Sequence, residues 1–314
     1  MSASTGGIEL RNPLCLAPLA GITSLPVREF FSEHGASLTH TEMISCAGLV
    51  RNNAKTFDML AVSEHEAPLI VQLFGNDDRL IAEGAEVVMK KCARFSAFGI
   101  NMACPMPKIT RNGSGAALMK KPDLAARMVR GVKALGLPVW VKIRRLEDDA
   151  DTLRLVEVLA EAGADNVCIH GRTCAQRYEG VADREILRKA AALFPGLIGA
   201  SGDVRTVDDI QEYLGYGCVV IMLARGIMSN IFLFEEFCGF SRTNEDRLNE
   251  LIRFSHRAEE LSGEHRALVL LKRFAGSVLR FSRGAAELRR QAMTAESVGK
   301  LREIITRGAD NNDV

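Results

Sequence analysis

The chain has 314 residues, of which 47% are hydrophobic, 25% charged and 6% aromatic, a globular composition that excludes a disordered or fibrous protein. Lys and Arg number 40 against 39 Asp and Glu, so the net charge of +1 names no polyanionic partner and any basic surface must be local. The 8 cysteines contain no C-x-x-C pair and, with the histidines, no recognisable metal spacing. The first residues are polar, and no apolar run approaches the roughly 18 residues of a membrane span. These features predict a reduced, cytoplasmic protein with no metal and no membrane association.

In chain order, short β-branched apolar runs that end in polar or glycine residues occur at 14–17, 38–42, 69–74, 98–102, 139–143, 166–170, 197–201 and 219–223, giving eight predicted strands. Stretches of helical period lie between them, such as DLAARMVRGVKALG before Pro138 and DTLRLVEVLAEAGA before Asp165, the latter closing on a glycine stop. Parallel neighbours need crossover helices, and eight such units fill a ring. The alternation therefore predicts an α/β fold, a closed (β/α)8 TIM barrel over residues 1–240, with a doubly wound open sheet as the alternative.

After Gly239 the strand-like runs cease, and charged helical periods such as EDRLNELIRFSHRAEEL and AESVGKLREII predict a separate helical domain over 241–314. Within it, residues 266–290 carry seven basic side chains (Arg266, Lys272, Arg273, Arg280, Arg283, Arg289, Arg290) and one acidic, Glu287. Such a local excess is the footprint of a polyanion partner, although a helix with Leu271, Phe274, Val278 and Leu288 toward the core could simply carry a solvated basic face. The tail GADNNDV, 308–314, is expected to fray.

Chemistry in such barrels sits where strands end. The predicted strands deliver there, in order, Pro18, Leu19, Ala20 and Gly21; Glu42; Gln72; Asn101 and Cys104; Lys142; His170; Ser201, Gly202 and Asp203; and Ala224, Arg225 and Gly226. The small residues after strands seven and eight suit a phosphate held by backbone N–H groups. Lys142, with Gln72 and His170 nearby, suits a heterocycle that must hold negative charge, such as a reduced flavin, and a Schiff-base lysine stays open as the alternative. Cys104, in a loop stiffened by Pro105 and Pro107, serves better as a proton donor than as a thiolate. Cys15, Cys92, Cys168 and Cys218 read as buried apolar residues. The segment 113–117, GSGAA, lacks the third glycine of a dinucleotide fingerprint, and 108–118 reads as a glycine-loosened loop over the site.

These residues together resemble the bacterial tRNA-dihydrouridine synthases. The resemblance rests on Ala17-Pro18-Leu19-Ala20-Gly21-Ile22-Thr23 with Pro26 and Arg28, on Val71-Gln72-Leu73-Phe74-Gly75, and on Asn101-Met102-Ala103-Cys104-Pro105 with Lys108. It continues through Gly115-Ala116-Ala117-Leu118, Val141-Lys142-Ile143-Arg144, His170-Gly171-Arg172-Thr173 with Gln176, Tyr178, Gly180, Ala182 and Asp183, then Gly202-Asp203 and Arg225-Gly226.

The resemblance implies FMN across the barrel mouth, with Pro18, Leu19, Ala20 and Gln72 near the isoalloxazine and Lys142 and His170 beside the ring. It implies Ser201, Gly202, Asp203, Ala224 and Arg225 around the ribityl phosphate, NADPH (or NADH) as reductant, and Cys104 as the acid that protonates C5 of a uracil while hydride reaches C6. Asn101, Lys108, Arg144 and Arg172 would then face the substrate, with Lys272, Arg273 and Arg280 on the tRNA backbone of a monomeric enzyme. Departures from the family pattern fall at Ala103, Arg184, Ser201, Ala224, Phe274, Ser277 and Val278. The alternatives are a flavin barrel reducing another RNA or a small dihydropyrimidine or enone, and a non-catalytic RNA-binding protein.

Overall fold

The computed structural model describes residues 3–310. All eight predicted strands form: β1 (Leu14–Leu16), β2 (Thr39–His40), β3 (Leu69–Phe74), β4 (Ala97–Met102), β5 (Val139–Arg144), β6 (Asn166–His170), β7 (Ile198–Ser201) and β8 (Val220–Leu223). Each pairs in parallel with the next from β2 to β8, and β8 pairs with β1. A parallel bridge from Cys15 to Leu38 and the bond from Leu16 N–H to Leu38 O (2.9 Å) complete the ring. The closed barrel is the predicted one, and the open sheet is excluded.

Along most of the strands the side chains alternate between two apolar clusters, as the period of two requires. Leu14, Leu16, Val71, Leu73, Ile100, Val141, Ile169, Ala200 and Ile221 belong to a cluster shared with the surrounding helices. Cys15, Ala17, Leu38, Ile70, Ala97, Trp140, Cys168, Val220 and Met222 form a second cluster inside the ring. Ile8 and Leu10 join this inner cluster from an N-terminal hairpin that sequence reading missed, Ala3–Thr5 paired antiparallel with Ile8–Leu10. Its turn runs through Gly6 and Gly7 at φ 54° and 76°, and Gly6 lies against Asp165 and the Trp140 indole, so the hairpin covers the end of the barrel where the strands begin.

The barrel helices are α1 (Leu25–Glu33), α2 (Asp78–Lys91), α3 (Pro122–Lys133), α4 (Asp149–Glu161), α5 (Glu185–Leu193) and α6 (Val207–Gly215). Local chemistry starts them: Asp77 accepts the Leu80 N–H at α2, Asp148 the Ala150 N–H at α4, and Thr206 with Asp209 forms a capping box at α6. Strand two is shorter than predicted. It ends at His40, and a separate pair, Ile44–Ser45, adds to the end of β3.

Four helices follow: α7 (Asn244–Ser262), α8 (Glu264–Val278), α9 (Ala285–Thr294) and α10 (Val298–Asp310). The basic segment expected on one helix is divided between α8 and α9, because Gly284 at φ 74° and the extended Ser282 break the helical run. Of the expected frayed tail, 308–310 continue α10, and 311–314 lie outside the described residues.

The outer apolar cluster runs without interruption from the barrel jacket into these helices. An aromatic seam carries the junction: Phe30 of α1 lies 4.7 Å from Phe254 of α7, and Phe31 lies 6.3 Å from Phe274 of α8. Ion pairs flank it, Arg257 with Glu29 at 2.5 Å and Arg253 with Glu33 at 2.9 Å, and His34 sits between Glu235 (2.6 Å) and Glu250 (3.3 Å). Buried Phe254 touches both sides of the seam, so Phe254→Ala is expected to cost about 3–5 kcal/mol, read as a lowered midpoint in urea unfolding.

Candidate active site

The inner faces of the strands turn polar at their carboxyl ends. Asn101, buried on β4, donates from Nδ2 to Gln72 Oε1 of β3 (2.9 Å), while its Oδ1 accepts the N–H groups of Ala103 (3.2 Å) and Cys104 (3.0 Å). One amide thus ties two strands together and sets the turn that carries the half-buried Cys104. Burial holds the Cys104 thiol above its ordinary pKa, against the opposing pulls of the Met106 backbone and the Arg144 guanidinium, so it stays protonated at neutral pH.

The stretch 108–118, expected as a glycine-loosened loop over the site, is largely ordered into turns. It folds into two short turns, Pro107–Thr110 and Gly115–Lys120, with Leu118 and Met119 in the core. Ala116 N–H donates to Cys104 O (3.0 Å), and a Cβ on Gly115 would fall 2.8 Å from that oxygen, so Gly115 allows close packing behind the thiol.

Lys142 stands opposite Asn101 on one side and Cys168 on the other in the strand register. Its ammonium is enclosed and has no hydrogen-bond partner, and burial pulls its pKa down, with Arg144 adding to that and Cys168 and Cys15 opposing. His170, at the end of β6, accepts the Arg172 N–H at Nδ1 (3.1 Å), which leaves its proton on Nε2. Burial first, then the nearby charges of Lys142, Arg144, Arg172 and Arg225, push its pKa down to about 2, so the ring is a neutral donor.

The expected substrate contacts Arg144 and Arg172 have buried guanidiniums committed largely to backbone carbonyls. Arg144 donates to Ala103 O (2.9 Å), Thr173 O (3.0 Å) and Arg177 O (2.7 Å), bracing the loops after β4 and β6. Arg172 donates to Glu179 O (2.9 Å), Gly180 O (2.6 Å) and Asp203 Oδ2 (2.7 Å), and keeps its Nη1 without a partner. Between them the loop raises Tyr178, 53% exposed, with the Arg144 and Arg225 guanidiniums 5.5 and 5.1 Å from its ring. Sequence reading had Tyr178 only as a point of resemblance; nothing in the spacing shows that two arginines converge on it.

Beyond β7 and β8, His170, Ser201, Gly202, Asp203, Ala224, Arg225 and Gly226 line a small cleft. Gly202 (φ 118°) and Asp203 (φ 49°) adopt left-handed backbone, and Arg225 and Arg205 stand 3.7 and 3.9 Å from the Asp203 carboxylate. A Cβ on Gly226 would run into the Val204 carbonyl oxygen, so the two loops meet backbone to backbone.

Pro18, Leu19 and Ala20 form the loop after β1, where Glu42 accepts the Gly21 N–H (2.5 Å) and Arg273 of α8 approaches Gly21. Lys108 and Arg280 are exposed and Lys272 is half-buried; none makes an ion pair among the described residues. A larger groove of about 420 Å³ lies beside this loop, lined by Pro26, Lys55, Met59, His265, Arg266 and Val269, and Glu42 is the only strand-end polar group it reaches. Several departures from the family pattern are absorbed in packing. Phe274 joins the aromatic seam, Ser277 Oγ donates to Met228 O, Val278 is buried, and Arg184 pairs with Asp209 and Glu212.

Fold and mouth together define a (β/α)8-barrel enzyme. A solved structure of TcOYE with pHBA matches with a TM-score of 0.58 at 11% identity, covering 76% of this chain and 91% of that one, a likeness of fold. The dihydrouridine synthase family model matches residues 15–306. A probable tRNA-dihydrouridine synthase of Treponema pallidum is 32% identical over 246 residues, 74% of this chain and 72% of the relative. One from Rhizobium leguminosarum bv. phaseoli is 36% identical over 70% of this chain and 69% of its own. The tRNA-dihydrouridine synthase B of Vibrio cholerae is 30% identical over 75% and 74%. The chain belongs to the dihydrouridine synthase family, whose members are oxidoreductases.

Gly226→Ala forces the loops after β7 and β8 apart; a lowered melting temperature is the expected result, larger than for Gly215→Ala, where a Cβ meets open space.

Proposed function

We propose that this protein is a cytoplasmic, monomeric tRNA-dihydrouridine synthase that uses FMN and NADPH. The observation that carries the reading is the enclosed Lys142 ammonium with no partner, at a strand-lined mouth beside the neutral His170 and the Asn101–Gln72 pair that positions Cys104. A buried cation without a counter-charge suits a ligand that becomes anionic, as a reduced flavin does. The glycine-built cleft after β7 and β8, with Arg205 and Arg225 beside it, suits a phosphate.

On this reading Lys142 and the Nε2–H of His170 would hold the flavin ring, with Pro18, Leu19, Ala20 and Gln72 against it, and Ser201, Gly202, Asp203, Ala224 and Arg225 would hold its phosphate. When bound, FMN reduced by NADPH supplies hydride to C6 of a uracil ring. Charge then develops on the C4 carbonyl as an enolate, and a proton must reach C5. The Cys104 thiol gives that proton and recovers one from solvent. Asn101 fixes Cys104 through its backbone N–H, Arg144 braces the same loop through Ala103 O, and Lys108 lies one short turn further on.

A paired uridine cannot reach such a mouth unless its base leaves the stack. Arg273 beside Gly21, with Lys272 and Arg280 of the same basic segment, would hold the RNA backbone during that extrusion. Mass-spectrometric mapping of dihydrouridine in unmodified tRNA, incubated with the protein and NADPH, tests the reading; absence of product together with reduction of a free enone or dihydropyrimidine would replace it with a small-molecule reductase.

Cys104→Ala is expected to retain flavin reduction by NADPH and to lose most dihydrouridine formation. Because burial raises the thiol pKa, wild-type product formation should hold through neutrality and fall only at alkaline pH above the ordinary cysteine value, a limb absent from the residual activity of the variant. Replacing Lys272, Arg273 and Arg280 together by Ala should weaken tRNA binding and lower its salt slope by about 3, measured by filter binding across a salt series.

A further inference from the structure

The turn between α8 and α9 is built more firmly than a connection requires. Leu279–Phe281 form one tight 3-10 turn, followed by Ser282, Arg283 and the left-handed Gly284. Leu279 and Ser282 are buried, whereas Arg280, Phe281 and Arg283 face solvent. The buried pair is seated on Gly308 of α10, where a Cβ would come 2.9 Å from Leu279 Cδ2 and 3.1 Å from Ser282 Oγ. Packing from below therefore fixes the turn and holds a phenyl ring in water.

Phe281 is 54% exposed, and the Arg280 guanidinium lies 4.5 Å from its ring centre. Burial does not account for an aromatic so placed. Its sequence neighbourhood is cationic: Arg266 and Arg290 reach Asp58 and Glu287, but Lys272, Arg273, Arg280, Arg283 and Arg289 form no ion pair among the described residues. Uncompensated cations suit phosphates, and a flat ring beside one of them, Arg280, adds what phosphates do not need, a π surface. Single-stranded nucleic acid is the polyanion that offers both groups, since every base has a face to stack.

We propose that Phe281, backed by Arg280, is a stacking platform for an unpaired base of the bound RNA. The proposal rests on the RNA reading above and adds to it a grip on a base other than the one at the barrel mouth. The sugar-phosphate on either side of that base would meet Arg280 and Arg283.

The test uses the full-length protein as Phe281→Ala, Phe281→Leu and Phe281→Trp, titrated with an unmodified tRNA transcript and with heparin, a polyanion without bases. The Ala and Leu variants are expected to bind tRNA about tenfold more weakly with an unchanged salt slope, and to bind heparin as the wild type does. The Trp variant should keep its tRNA affinity, and the emission it adds to the wild-type signal should be quenched by tRNA but not by heparin. Wild-type tRNA affinity in the Ala variant would overturn the proposal, as would a matching loss of heparin affinity, which would make Phe281 a mere support of the cationic surface. If the wild type itself shows no salt-dependent tRNA binding, the RNA reading falls, and the platform with it.

Discussion

A lysine ammonium enclosed in a barrel with no counter-charge sets the terms for everything around it. Burial, with the nearby charges of Lys142, Arg144, Arg172 and Arg225 adding to it, makes protonation of His170 unfavourable at any physiological pH. Two of those arginines spend their donors on carbonyls of the loops they brace, and Asp203 answers Arg172. The ammonium stays unanswered. A buried charge of this kind is tolerated only where the fold is strong elsewhere or a ligand completes it, and this barrel has a continuous apolar jacket.

The helical extension is fastened to that mouth and not merely appended to the barrel. Its apolar residues belong to the same cluster as the barrel jacket, and α8 reaches loops at the carboxyl ends of the strands, Ser277 Oγ donating to Met228 O after β8 and the Arg273 guanidinium lying near Gly21 after β1. Placement of a cation beside the loop after β1 thus follows from the docking of one amphipathic helix, fixed by the Phe30, Phe31, Phe254 and Phe274 seam.

The barrel could be read from sequence because strands buried on both faces appear as unbroken apolar runs, and those of β3 to β8 were found within a residue or two. Strand two was overdrawn because an apolar-to-polar run does not reveal where pairing stops. The hairpin at 3–10 was missed because its strands are three residues long and carry no distinctive alternation. The strand-end residues were also legible, since fold position alone sends Gln72, Asn101, Lys142 and His170 to one place. Partnership was not: that Arg144 and Arg172 are loop braces, that Tyr178 sits between two guanidiniums, and that 108–118 packs behind Cys104 depend on three-dimensional contacts between segments far apart in the chain.

The hairpin at the floor of the barrel has a practical corollary. Trp140, the only tryptophan in the chain, is sealed there, with the His40 ring 6.0 Å above it and Gly6 of the hairpin below. Native fluorescence of this molecule is therefore a reporter of one location: the helical extension could melt away in silence, and a red-shifted spectrum would mean that water has reached the closed end of the ring of strands.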